Sequence, residues 1–187
     1  MKKRRFLGLY SALVYCVFIT NVSAQPAVMK PLPPAPEMKK LDFLIGSWKS
    51  VSKIYDKDGK IVRTVTSDDF GESSGYRLRS IMGGLYIESD PESEFARSWY
   101  FFHKPDKKFY QASIDFQGNF DILAGNFQGE KLVLTEIMAK PHRDGGTIMW
   151  RRTYHNIAKK SFNVLMEYSR DKGKTWVLSN KQTKTRN

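Results

Sequence analysis

From Leu41 onward, turn signals recur at roughly 8–12-residue spacing with β-rich runs between them. Asp56-Lys57-Asp58-Gly59, Gly83-Gly84, Lys104-Pro105-Asp106-Lys107, Gln117-Gly118-Asn119, Gln128-Gly129-Glu130 and Pro141 to Gly145 each break the chain. Asp satisfies turn amides, Gly permits φ > 0 and Pro presets φ. Between the breaks, the runs read as strands: Trp48–Tyr55, Ile61–Phe70, Tyr76–Met82, Leu85–Ser89, Arg97–His103, Lys108–Phe116, Phe120–Asn126, Lys131–Met138, Thr147–Tyr154, Ser161–Ser169 and Trp176–Thr183. Leu41–Ile45 reads as a short helical turn. No helical pattern of about 10–15 residues alternates with the strands, which excludes a parallel α/β fold. Successive hairpins give a meander, and a long meander closes on itself to remove its edges. The chain is therefore expected to be all-β, an antiparallel up-and-down barrel of about ten strands, a size that can hold one small ligand.

The segment before Leu41 reads differently. Lys2, Lys3, Arg4 and Arg5 precede an uncharged, mostly apolar run from Phe6 to Thr20, and Val22-Ser23-Ala24 offers small residues for cleavage. As a helix, that run spans only about 22 Å, short of a roughly 30 Å hydrocarbon core. Residues 1–24 are expected to be a signal peptide cleaved after Ala24, which directs the chain out of the cytoplasm, to the periplasm. Cys16 does not mark a lipoprotein, because Tyr15 stands where a small residue is needed. Residues 25–40 hold five of the eight prolines and read as a spacer ahead of a barrel domain over 41–187. Cleavage removes four cations and no anion. It leaves 27 basic against 19 acidic residues, a net +8, and no cysteine. That excludes a disulfide scaffold and allows weak attraction to anionic surfaces.

Gly46-Ser47-Trp48 opens the first strand, where a glycine lets the chain approach tightly and an indole can plug one end. The motif resembles the opening of lipocalins and other calycins. Leu41-Asp42-Phe43-Leu44-Ile45-Gly46-Ser47-Trp48, Met82-Gly83-Gly84 with Tyr86, Lys104 to Tyr110, and Glu167 to Trp176 follow one another in the order found in a bacterial family of small calycin-like domains. That resemblance implies a lipocalin-like barrel and brings no activity. Nitrobindins, calycins that hold haem through a histidine, open on Gly-x-Trp-x-Gly-x-Gly. Here Ser50 and Ser52 replace both later glycines.

Ser169-x-Asp171-x-Gly173-x-Thr175-Trp176 is similar to an Asp-box. It reads as a structural turn, with Asp171 accepting turn amides, Gly173 left-handed and Trp176 packed beneath. His103, His142 and His155 show no metal-binding spacing, there is no Gly-x-Ser-x-Gly elbow, and no metal or cofactor is expected. Arg151, Arg152, Lys159 and Lys160 read as a solvated face, and nucleic acid is not expected as a partner.

The chain beyond Ala24 keeps 21 aromatic residues. Period-2 alternation groups Trp99 with Phe101, and Trp150 with Arg152 and Tyr154. Trp48, Trp99, Phe101, Trp150 and Tyr154 are expected to point into the barrel, with Arg152 near the mouth to meet a carboxylate. The resulting expectation is non-catalytic binding of a small apolar or amphipathic molecule. Alternatives are an enzyme with Glu167 or His155 as interior acid/base, a haem-binding calycin, or a basic surface-interaction protein.

Overall fold

The computed structural model describes residues 33–67, 76–89, 96–115 and 117–187. The expected signal peptide lies outside them, as do Gly71–Gly75, which read in the sequence as a break between strands, and Pro91–Glu94, which read as an acidic loop. Pro36–Leu44 forms a 3-10 helix. Pro36 opens it, where a fixed φ suits the first helical position and the missing N–H costs nothing. With three residues per turn, positions three apart share one row. Met38, Leu41 and Leu44 form that row, and all three are buried. Their packing sustains a nine-residue run of a helix type that usually stops after about three or four. The spacer expected to reach Lys40 therefore ends sooner, because Ala35 and Met38 already belong to the hydrophobic core.

The strands are β1 (Gly46–Tyr55), β2 (Ile61–Thr66), β3 (Tyr76–Ile81), β4 (Tyr86–Ser89), β5 (Ala96–His103), β6 (Lys108–Asp115), β7 (Phe120–Gln128), β8 (Lys131–Glu136), β9 (Lys140–Pro141), β10 (Thr147–Ala158), β11 (Ser161–Ser169) and β12 (Val177–Arg186). Among the described residues, ten of them close an antiparallel ring in the order β1-β3-β4-β5-β6-β7-β8-β10-β11-β12, and β12 pairs back onto β1. This is the up-and-down barrel that the hairpin rhythm predicts. β2 and β9 stand outside the ring, beside β1 and β10. One edge of β1 is divided: Gly46–Trp48 pair with β3, and Val51–Tyr55 pair with β2.

Hairpins turn where Asp side chains accept backbone amides. Asp56 Oδ1 takes the N–H of Asp58 and Lys60, and Asp115 Oδ1 takes those of Gln117 and Asn119. These short side-chain bonds substitute for turn water and set each register locally.

One end of the barrel is plugged. Trp48 is fully buried, and its Nε1–H donates to the Leu44 carbonyl at 2.8 Å, tying the helix end to β1. Phe162 meets Trp48 edge-on at 4.8 Å and Phe43 at 5.3 Å. Arg186, the last residue of β12, lays its guanidinium 4.5 Å over the indole, and its Nε donates to the Lys159 carbonyl at 3.1 Å. Gly46 sits at φ +135°, and a Cβ there would lie 2.5 Å from Arg186 Nη1. The glycine thus serves both the turn into β1 and the close seating of the arginine.

Removing the plug is expected to be costly. Trp48→Ala should lower stability by about 3–5 kcal/mol, the range for truncating a fully buried aromatic. Arg186→Ala should cost only about 0.5–1 kcal/mol, the scale of a partly exposed cation–π contact. Urea unfolding of both variants checks the ranking, and equal losses would refute it.

Candidate functional site

Above the plug the barrel holds a cavity of about 790 Å³, within the roughly 300–1,000 Å³ of small-molecule sites. Leu44 and Trp48 lie at its floor, and Asp115, Asn119, Lys140 and His142 at the opposite end. The pleat decides what faces inward. Tyr100, Gln111, Leu123 and Glu136 share one row across β5 to β8, and all four are buried. Their alternate neighbours face out.

Four of the six expected ligand-binding residues come together. Trp48, Trp150, Arg152 and Tyr154 all line the cavity. Trp99 and Phe101 do not. The expectation that they point inward is corrected: on β5, Ser98 and Tyr100 take the inner face, and the two aromatics cover the outside. There Phe101 stacks on Tyr110 at 5.4 Å, and Trp99 Nε1 donates to Glu88 Oε1 at 2.8 Å. With Leu85, Tyr86, Phe102 and Ala112 they form a shallow apolar depression. The inversion arises because inner positions that face a cavity need not be apolar. Ser98 pairs with Ser113, and Tyr100 with Gln111.

Tyr154 crosses the interior from β10. Its hydroxyl donates to Gln111 Oε1 at 3.1 Å and lies 3.2 Å from the Tyr100 hydroxyl. With Tyr154 donating to Gln111, Tyr100 supplies the proton of the second bond. Burial pushes the Tyr154 phenol above its ordinary range, against the opposing pull of the Arg152 guanidinium and the Tyr100 bond, so the phenol stays neutral.

Four charges gather on the β7–β10 side. Lys140 Nζ donates to the Phe120 carbonyl at 2.9 Å and to the Asp121 carboxylate, and forms an ion pair with Glu136 Oε1 at 2.8 Å. Burial alone would lower the lysine's pKa, but the bonds to Asp121 and Glu136 outweigh it and raise it. Glu136 is displaced upward by burial, against the bond from Lys140 and the Trp150 N–H that its Oε2 accepts at 2.9 Å. Arg152 Nη2 reaches Asp121 Oδ2 at 3.6 Å. The cluster balances two cations against two carboxylates, as a partly desolvated site requires.

At the mouth, His142 Nδ1 lies 2.9 Å from Asp144 Oδ1, and Arg170 Nη1 lies 2.9 Å from Asp144 Oδ2. The bond from His142, then the Gly146 amide and Arg170, hold the Asp144 carboxyl down at about 2.

The two acid/base candidates lie elsewhere. Glu167 is held on the outer face by a bidentate pair with Arg151, at 2.8 and 2.9 Å. His155 follows the inward Tyr154 and so points to the other side of β10. Neither lines the cavity, so an interior acid/base step through either residue has no geometric basis. In the closing hairpin, Asp171 Oδ1 accepts the Thr175 N–H at 2.8 Å and Oδ2 accepts the Thr175 hydroxyl at 2.7 Å. Gly173 has φ +88°, and Arg151 stacks 4.3 Å over Trp176.

Sequence reasoning did not reach Ser98, Gln111, Ser113, Asp121 or Lys140. Alternation places Asp121 beside inward Leu123, and that was the available signal. Nothing local marks Lys140, which belongs to a two-residue strand outside the ring. Among the described residues no group of three or more His, Cys, Asp or Glu side chains is arranged to hold a metal. No protein-family model matches the sequence, and no curated protein matches it.

The Asp144 clamp predicts an acid dependence. Its carboxyl falls from an ordinary 3.8 to about 2 on folding. Its contribution is therefore fully present above about pH 4 and is lost as pH falls towards 2. Asp144→Asn should flatten the decline in thermal midpoint across that window, and a profile parallel to the wild type would refute it.

Proposed function

We propose that this chain is an exported, non-catalytic barrel that binds one small amphipathic molecule inside its cavity. One observation carries the reading: a cavity of about 790 Å³, plugged at one end, is lined both by aromatic side chains and by a balanced charge cluster. A purely aliphatic ligand would leave Arg152, Asp121 and Lys140 facing hydrocarbon, which is costly. A purely polar one would leave Trp150, Val164 and Met166 wet. A molecule with an apolar body and a carboxylate satisfies both. Arg152 has five N–H donors in a fixed fork, so it can serve Asp121 and a ligand carboxylate together. The ordered resemblance to small calycin-like domains favours the same class, and the leader-like N-terminus favours export.

Native mass spectrometry of freshly purified protein should retain a bound small molecule. In titration, a long-chain fatty acid should quench tryptophan fluorescence saturably. Trp150→Ala should weaken that binding about 5- to 150-fold, equivalent to about 1–3 kcal/mol for one buried aromatic contact. Trp99→Ala, on the outer face, should leave the dissociation constant unchanged. Absence of saturable binding, or equal losses in the two variants, would overturn the reading.

A further inference from the structure

The cavity differs from one side to the other as well as from floor to mouth. β5 lies five places round the ten-membered ring from β11, so the two strands face each other across the barrel. The β10–β11 side presents Trp150, Val164 and Met166. The β5–β6 side presents Ser98, Gln111 and Ser113, and Ser50 and Ser52 line the cavity separately from β1, two places from β11 and three from β5. Among the described residues, none of these four serine hydroxyls hydrogen-bonds to protein, and nor does the Gln111 amide nitrogen. Each Ser hydroxyl can both donate and accept. Serine at these positions also leaves space that a larger side chain would fill, so the polar wall is recessed opposite the aromatic one.

A chain-like amphiphile, with one polar end and a flexible apolar tail, enters such a cavity but matches it less well, because part of its tail lies against the hydroxyls. We infer that the ligand is amphipathic by face: a rigid fused-ring molecule with hydroxyl groups on one face, an apolar opposite face and a carboxylate at one end. The apolar face packs on Trp150, Val164 and Met166. The hydroxylated face meets Ser98 and Ser113, on the mouth side of the Tyr154–Gln111 strut, and the carboxylate lies toward Arg152. Rigidity matters because a fixed ring system loses little conformational freedom on binding. The inference rests on the ligand-binding reading above and goes beyond it by naming the ligand's shape and the wall that selects it.

Cholate, with three hydroxyls on one face, and 5β-cholanate, the same acid without them, are the probes, titrated below micelle-forming concentration alongside the fatty acid. Cholate should bind at least tenfold more tightly than 5β-cholanate, although it is the more water-soluble acid. In the Ser98→Ala/Ser113→Ala double variant, that ratio should fall at least fivefold. These changes are small, and a urea midpoint within the wild-type range confirms that the barrel is intact. A second double variant, Ser50→Ala/Ser52→Ala, should lower the ratio less, since β3 and β4 separate β1 from the facing wall. If 5β-cholanate binds as tightly as cholate, or if the preference survives in Ser98→Ala/Ser113→Ala, the inference is overturned and the amphiphile reading stands. If none of the three acids binds, both fall.

Discussion

The hydrogen bond from the Trp48 indole to the Leu44 carbonyl is where the helix, the first strand and the barrel floor become one object. A 3-10 helix has little stability of its own and unsatisfied carbonyls at its end. The indole occupies one of them and is itself enclosed by Phe162 and Arg186. The arginine arrives from the last strand, so the two ends of the described fold meet at a single ring system. With the floor set by packing at that point, the upper barrel does not need a solid hydrophobic centre. It can carry serines, a glutamine and an ion cluster, because its apolar burial is concentrated lower down and around the β10–β11 wall.

The architecture was legible because turn chemistry is local. Asp56, Asp115 and Gly83 do their work within a few residues of themselves, so a reader of the sequence sees the cause directly. Facing is another matter. On β5, Ser98-Trp99-Tyr100-Phe101 alternates clearly, but alternation states only that two sets exist. Choosing the aromatic set as the inner one assumes an apolar interior, and here the interior polarity is what β5 and β6 share. The same assumption succeeds on β10, where the inner set includes Trp150 and Tyr154. The charge cluster lay beyond reach for a different reason. Asp121, Glu136, Lys140 and Arg152 come from four separate strands, and only the pairing of those strands makes all four neighbours. Proline content likewise marks a spacer without marking its end, which the three-residue spacing of Met38, Leu41 and Leu44 sets instead.

The outer and inner surfaces of the β5–β6 hairpin reverse the usual soluble pattern. Toward the mouth, Trp99 and Phe101 stand outside while Ser98 and Ser113 stand inside, in one pair of strands. Trp99 and Phe101 hold the sheet together laterally, through Glu88 and Tyr110, while Tyr100 and Gln111 hold it to β10 through the Tyr154 strut. Each strand is thus fixed on two sides by different chemistry, which keeps the cavity walls apart without filling the space between them.

The divided edge of β1 gives the cylinder an unequal seam. Seven residue pairs join β1 to β12, and three join it to β3 before β2 takes over the edge. A closed ladder shares any outward strain among all its joints, and it yields first where the fewest backbone bonds must part. Among the described residues the ring's shortest ladders are β1–β3 and β4–β5, with three pairs each, and the first of them lies beside the buried indole and far from the charged rim. Slow amide exchange around most of the circumference and faster exchange at Arg77 and Leu78 would be the kinetic signature of such a seam. The ring would then breathe near its floor, so its tightest packing and its easiest opening would lie within one turn of chain of each other.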